Sequence, residues 1–105
     1  MRILFDQGTP APLRSALTGH TVSTAFEMGW AQLANGDLLR ATEKSFDVLI
    51  TTDRNLRHQQ NLTGLRLAIL TLWTTSWPSI KRHLPEIAAA VNELRQGDFV
   101  ELSFS

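Results

Sequence analysis

The sequence predicts an α/β domain with a mainly parallel sheet of about five strands and helices on both faces. Two observations carry this. Short apolar or β-branched runs alternate along the chain with stretches of helical periodicity. One run, Arg66 to Leu72 (RLAILTL), is apolar without alternation, as a strand buried on both faces requires.

Residues 2–5 form a first short strand that ends in Asp6. Pro10 and Pro12 then precede Leu13, Ala16 and Leu17, a short apolar-striped helix with proline near its start. Gly19 in Thr18-Gly19-His20 stands where a helix-ending glycine would. His20 to Ala25 is rich in β-branched residues and reads as a second strand. Phe26 to Ala34 fits neither period. Asn35-Gly36-Asp37 reads as a helix start, with Leu38, Leu39, Ala41 and Thr42 as the buried face. Phe46 to Ile50 is a third strand and runs into Thr51-Thr52-Asp53.

Arg54 to Asn61 is polar, one helical turn or a loop, and residues 61–64 link it to the 66–72 strand. Ser76-Trp77-Pro78 opens the last helix. Ile80, Leu84, Ile87, Ala88, Val91 and Leu94 follow at helical spacing, and Gly97 closes it. Pro85 lies inside that pattern without an N–H, which predicts a kink or two segments. Phe99 to Phe104 alternates and reads as an edge strand, with Val100, Leu102 and Phe104 on one face.

The 105 residues suit a single domain spanning 1–105. With 43% hydrophobic and 19% charged residues, the chain has the means to fold, and disorder is excluded. Ten basic and ten acidic side chains cancel, so any site for a polyanion must be local. The absence of cysteine rules out disulfides and thiolate metal sites. No apolar run approaches the roughly 18 residues of a membrane span, and no signal peptide opens the chain. The expectation is a soluble, cytoplasmic protein with no membrane partner.

Three acids stand out. Asp6 follows the first strand and Asp53 follows the third, so in a parallel sheet both emerge at the same edge. Asp37 lies at the start of the helix leading into the third strand and could face that edge too. Ligands of such sheets collect beyond the carboxyl ends of the strands. Converging carboxylates repel unless a cation joins them, and oxygen ligands suit Mg²⁺ or Mn²⁺. Each acid taken singly also has a structural reading, as a turn former or a helix-start residue.

The stretch ILFDQGTPAPLRSALTGHTV, continued by NGDLLRATEKSFDVLITTDRNL, resembles the short stand-alone PIN-like family over about residues 2–56. There a strand ends in Asp, followed by a turn with proline, a Leu-rich helix and G-H-x-V. A helix-start Asp, a strand and Thr-x-Asp come later. The resemblance implies a PIN-like fold and a metal-dependent ribonuclease, often the toxin of a toxin–antitoxin pair, cutting single-stranded RNA. It places Asp6, Asp37 and Asp53 as catalytic residues and as ligands of Mg²⁺ or Mn²⁺. Relatives often carry further acids where this chain has Gln7 and Asn55. Those two amides can hydrogen-bond but add no charge. The alternative is therefore a catalytically weakened PIN-like binding module.

Arg54, Asn55, Gln7 and Arg14 are the candidate substrate-binding residues, with Arg57 and His58 beside them. Glu27 could face the same edge or sit in a solvated loop, whereas Glu43 and Asp47 belong to the opposite edge. Trp73 and Trp77 could stack an unpaired base or close the core or an oligomer contact. Trp30 could be an exposed anchor for a partner. His20 and His83 lack metal-ligand spacing and suit surface or helix-end roles. A small antitoxin protein and a second copy of the chain are the expected protein partners. FDQGTP also resembles the nucleophile loop of haloacid-dehalogenase phosphatases, but Gly8 stands in place of the second Asp of that loop. A response-regulator receiver lacks its acidic pair and late Lys here.

Overall fold

A computed structural model describes residues 1–104. Its strands are β1 (Arg2–Phe5), β2 (Thr21–Thr24), β3 (Val48–Thr51), β4 (Ala68–Thr71) and β5 (Phe99–Glu101). All pairings are parallel, in the order β2-β1-β3-β4-β5. A 3₁₀ helix, Ala11–Ala16, joins β1 to β2, and α1 (Asn35–Ser45) joins β2 to β3. The single turn α2 (Leu56–Gln59) joins β3 to β4, and α3 (Trp77–Lys81) with α4 (Leu84–Asn92) joins β4 to β5. This is the predicted α/β class, with a parallel sheet covered on both faces. The Cα radius of gyration, 12.5 Å, is close to the roughly 13 Å of a compact domain of about 100 residues.

Alternation along the strands divides the core in two. Ile3, Phe5, Val48, Ile50, Ala68 and Leu70 face the 3₁₀ helix, α3 and α4, meeting Leu13, Ile80, Ile87 and Val91. Leu4, Leu49 and Ile69 face the other way and meet Leu38, Leu39 and Leu56 of α1 and α2. All four residues of β3 and of β4 are buried, which explains the unbroken apolar run at 66–72.

The two faces impose an unusual connection. The steps from β3 to β4 and from β4 to β5 move the same way across the sheet, but their helices lie on opposite faces. These two crossovers are therefore of opposite hand, although one hand is strongly favoured in parallel sheets. The earlier connections explain why the exception is stabilising. Alpha helices α1 and α2 occupy one face, while the other has only the six-residue 3₁₀ helix. Without α3 and α4, the apolar sheet surface around Leu70 and Ile50 would meet water.

Pro85 does split the last helix. It stands in the first turn of α4, after a break at Arg82 and His83, where a missing N–H costs nothing. Gly97 does not close that helix. The helix ends at Asn92, and Gly97 forms a separate left-handed turn (φ +84°) whose N–H donates to Arg66 O at 3.0 Å. β5 is an edge strand as expected, but it stops at Glu101. Phe104 instead stacks on His83, with ring centroids 4.1 Å apart, and meets Trp73 edge-on. Among the described residues, no helix is long and apolar enough to cross a membrane.

Candidate functional site

Strand order places a switch point between β1 and β3, because the chain leaves β1 in one direction and later returns to its other side. Asp6 and Asp53 emerge on either side of that point. The Asp6 N–H still bonds to Ile50 O at 3.1 Å, so strand register persists to the carboxylate. Both acids line one cleft of about 280 Å³, together with Gln7, Gly8, Asn35 and Thr52.

Each carboxylate is oriented by donors from elsewhere in the fold. Asp6 Oδ1 accepts the Thr9 hydroxyl at 2.7 Å, and Asp6 Oδ2 accepts the Thr51 hydroxyl. Asp53 Oδ2 accepts from Asn35 Nδ2 at 2.9 Å, and Asp53 Oδ1 accepts the Asn55 N–H at 2.9 Å. Thr51 links the two acids, since its Oγ1 also accepts the Asp53 N–H at 3.1 Å. The loops carrying them approach closely: a Cβ on Gly8 would lie 2.5 Å from Thr52 Oγ1. Glycine accommodates this contact with the Thr52 hydroxyl where it stands.

Asp37 does not join them. It is 59% exposed and pairs with Arg40 at 2.5 Å, outside the cleft lining. Asn35 occupies the place expected of Asp37. Asn35 sits in the first turn of α1, whose N-cap is Ala34 without a side-chain cap, and spends its amide on Asp53. Among the described residues, no three His, Cys, Asp or Glu side chains gather to hold a metal. The donor set that is present does fit a hard divalent ion. Each oxygen of Asp6 and Asp53 accepts one hydrogen bond and keeps further acceptor capacity. Mg²⁺ is commonly held by one or two carboxylates, with water and phosphate oxygens completing its shell.

The remaining candidates separate clearly. Gln7 lines the cleft and is exposed, Arg54 is exposed beside Asp53, and Asn55 contributes its backbone N–H. Arg14 is already paired with Glu27, and that guanidinium holds the Glu27 carboxyl below the usual glutamate range. Arg57 pairs with Glu101 at 3.0 Å. Glu43 and Asp47 lie at the opposite edge as expected, around a cavity with Arg66 and Arg95. Trp30 is not a free anchor: it is half-buried and packs edge-on against Phe46 at 6.0 Å. Trp73 and Trp77 both pack on the first core. His83 stands at the head of α4 and bonds Glu86 at 2.6 Å, and His20 bonds Asn92 at 2.7 Å.

Thr9, Asn35 and Thr51 are the site residues that sequence reasoning missed. Thr9 follows Asp6 by three positions, the spacing of a side-chain-closed turn. Thr51 precedes Asp53 by two, at the last position of β3, the spacing at which a hydroxyl can accept the N–H two residues on. The chain matches no protein-family model, no curated protein and no solved structure.

Proposed function

We propose that this chain is a metal-dependent endoribonuclease of PIN-like type, hydrolysing phosphodiesters of single-stranded RNA at the Asp6–Asp53 cleft. One observation carries the reading: two carboxylates flank the switch point of a parallel sheet and share a cleft. The resemblance over residues 2–56 supports the ribonuclease class and a role as the toxin of a toxin–antitoxin pair in the cytoplasm.

Mg²⁺ or Mn²⁺ held by Asp6 and Asp53 would supply charge neutralisation and an activated water. The chain supplies the rest. Thr9 and Thr51 fix the Asp6 carboxylate, and Asn35 with the Asn55 N–H fixes Asp53. Such preorganisation removes the cost of aligning the acids during reaction. Gln7 in the cleft lining and the exposed Arg54 next to Asp53 would donate to phosphate oxygens.

A second reading, a binding module of weakened catalytic power, is favoured by one specific feature. Among the described residues, only two carboxylates reach the cleft, and Asp37 is turned to solvent. The two readings part in one experiment. The purified protein is incubated with Mn²⁺ and a panel of unstructured RNAs, beside Asp6→Asn and Asp53→Asn. Cleavage abolished by either substitution supports the nuclease. Equal background cleavage by all three proteins removes it. RNA binding without a saturable Mn²⁺ heat in calorimetry selects the binding module.

A further inference from the structure

We propose that the groove between Phe26 and Trp77 is a base-binding subsite, which takes an unpaired base next to the phosphodiester at Asp6. Its place beside the scissile bond rests on the nuclease reading above; the stacking does not.

Phe26 is 79% exposed, an unusual position for a large apolar ring. It is not on a loose loop. The Thr24 N–H donates to Glu27 Oε1 at 2.9 Å, and the Glu27 N–H donates back to Thr24 Oγ1 at 3.1 Å. Backbone bonds from Met28 to Thr24, from Gly29 to Phe26 and from Trp30 to Ala25 close the turn. Glu27 is tied in addition to Arg14 on the 3₁₀ helix. The chain thus holds a bare aromatic ring in water on a fixed backbone. That is preorganisation for a partner, since little ordering cost remains at binding.

The ring borders a groove of about 530 Å³ that is also lined by Trp77 and by the Asp6–Thr9 loop. Trp77 is half-buried and anchored on the first core. The groove shares Asp6, Gln7 and Gly8 with the cleft that holds Asp53. The two hollows therefore lie on either side of one loop and meet at Asp6. A strand crossing that loop has room to continue in both directions, which suits an internal phosphodiester.

The groove chemistry favours a nucleobase over an apolar peptide side chain. Aromatic walls stack any planar ring, whatever its sequence. Gln7 and Thr75 also line the groove, and among the described residues their side chains form no hydrogen bond. An aliphatic side chain would cover these polar groups without pairing them, which is unfavourable, whereas the edge of a base offers donors and acceptors. Net charge is zero, so stacking rather than a general phosphate attraction must contribute much of the affinity.

The test is an equilibrium titration of the full chain in EDTA, where no metal-dependent cleavage occurs, read by tryptophan fluorescence. The probes are a single-stranded RNA, the matching DNA, and an abasic strand of equal length. Saturable quenching by the base-bearing strands is expected. Phe26→Ala should weaken both by about tenfold, in the range of one lost base stack, and Phe26→Trp should retain them. The abasic strand should bind wild type no better than a base-bearing strand binds Phe26→Ala. Circular dichroism checks that the exposed substitution leaves the fold intact. Affinity indifferent to both the bases and Phe26 overturns the subsite and leaves the ring to a protein partner. Cleavage is read separately with Mn²⁺: equal cleavage by wild type and Asp6→Asn fails the catalytic reading, while binding that depends on the bases and on Phe26 keeps the subsite.

Discussion

Thr51 donates its hydroxyl proton to Asp6 Oδ2 across the β1–β3 pair, from 45 positions away in sequence. The Thr51 Oγ1 that donates this proton also accepts the N–H of Asp53. One side chain on β3 therefore sets the geometry of both carboxylates. The link exists because β1 and β3 are neighbours although β2 lies between them in sequence. Thr51 is buried and the two bonds are part-buried, so replacement water is limited and lost partners are costly.

Thr51→Val keeps the β-branched shape and deletes the hydroxyl. It leaves a carboxylate oxygen and a backbone N–H short of a partner, with an expected loss of about 1–3 kcal/mol. Thr51→Ser should recover most of it. Urea denaturation at pH 7 measures both, and a valine variant as stable as wild type would sink the linking role.

If Asp6 and Asp53 hold a divalent ion, Mn²⁺ must stabilise the folded chain by mass action. At about 100 times its dissociation constant the gain is about 2.7 kcal/mol. Thermal melts with Mn²⁺ and with EDTA should show that gain in wild type and in Asp37→Asn. Asp6→Asn and Asp53→Asn should lose it. A gain lost in Asp37→Asn instead would return Asp37 to the ligand set.

These expectations differ from the sequence reading at Asp37, and helix geometry explains why. Leu38, Leu39 and Thr42 form the buried stripe of α1. Asn35 precedes them by three, four and seven positions and so shares their face, while Asp37, two residues on, lies on the far side. The buried stripe is legible in the sequence, but a place near the helix start does not by itself fix the face that a side chain shares. Other elements were legible for simpler reasons. The run RLAILTL could satisfy its apolar length only inside a two-sided sheet, and Pro85 could not stand inside one straight helix. Phe26 to Ala34 was not legible, because its turns are held by side chains such as Glu27 rather than by any period. The hand of the last crossover was hidden as well. It depends on which face the earlier helices left open.

Gly8 offers a test of the loop contact at the cleft. A methyl group there would lie 2.5 Å from Thr52 Oγ1, so Gly8→Ala must turn that hydroxyl away or part the two loops, at about 1–3 kcal/mol. The obstacle is one oxygen, because Thr52 Cβ lies 3.9 Å away, at ordinary contact. Gly8→Ala with Thr52→Ala should therefore be less destabilised than the sum of the single variants. A double-mutant cycle in urea reads the coupling. Strict additivity would mean that the loops do not meet as described.

Glu27 makes the Phe26 turn sensitive to acid. Its hydrogen bond with Arg14, and then the bond from the Thr24 N–H, hold the carboxyl below the ordinary value of 4.5. A depressed pKa in the folded state means that the ionised form is the one the turn prefers. The contribution is present above the unfolded value and fades as pH falls through the lowered one. The pair is exposed, so the effect on global stability is small, and a local readout is needed. In an NMR titration the Glu27 carboxyl and the Thr24 amide should change together, with an inflection below pH 4.5. Arg14→Gln should move that inflection upward, and Glu27→Gln should abolish the Thr24 change. An inflection at or above the ordinary value in wild type would show that Arg14 does not hold this turn in solution.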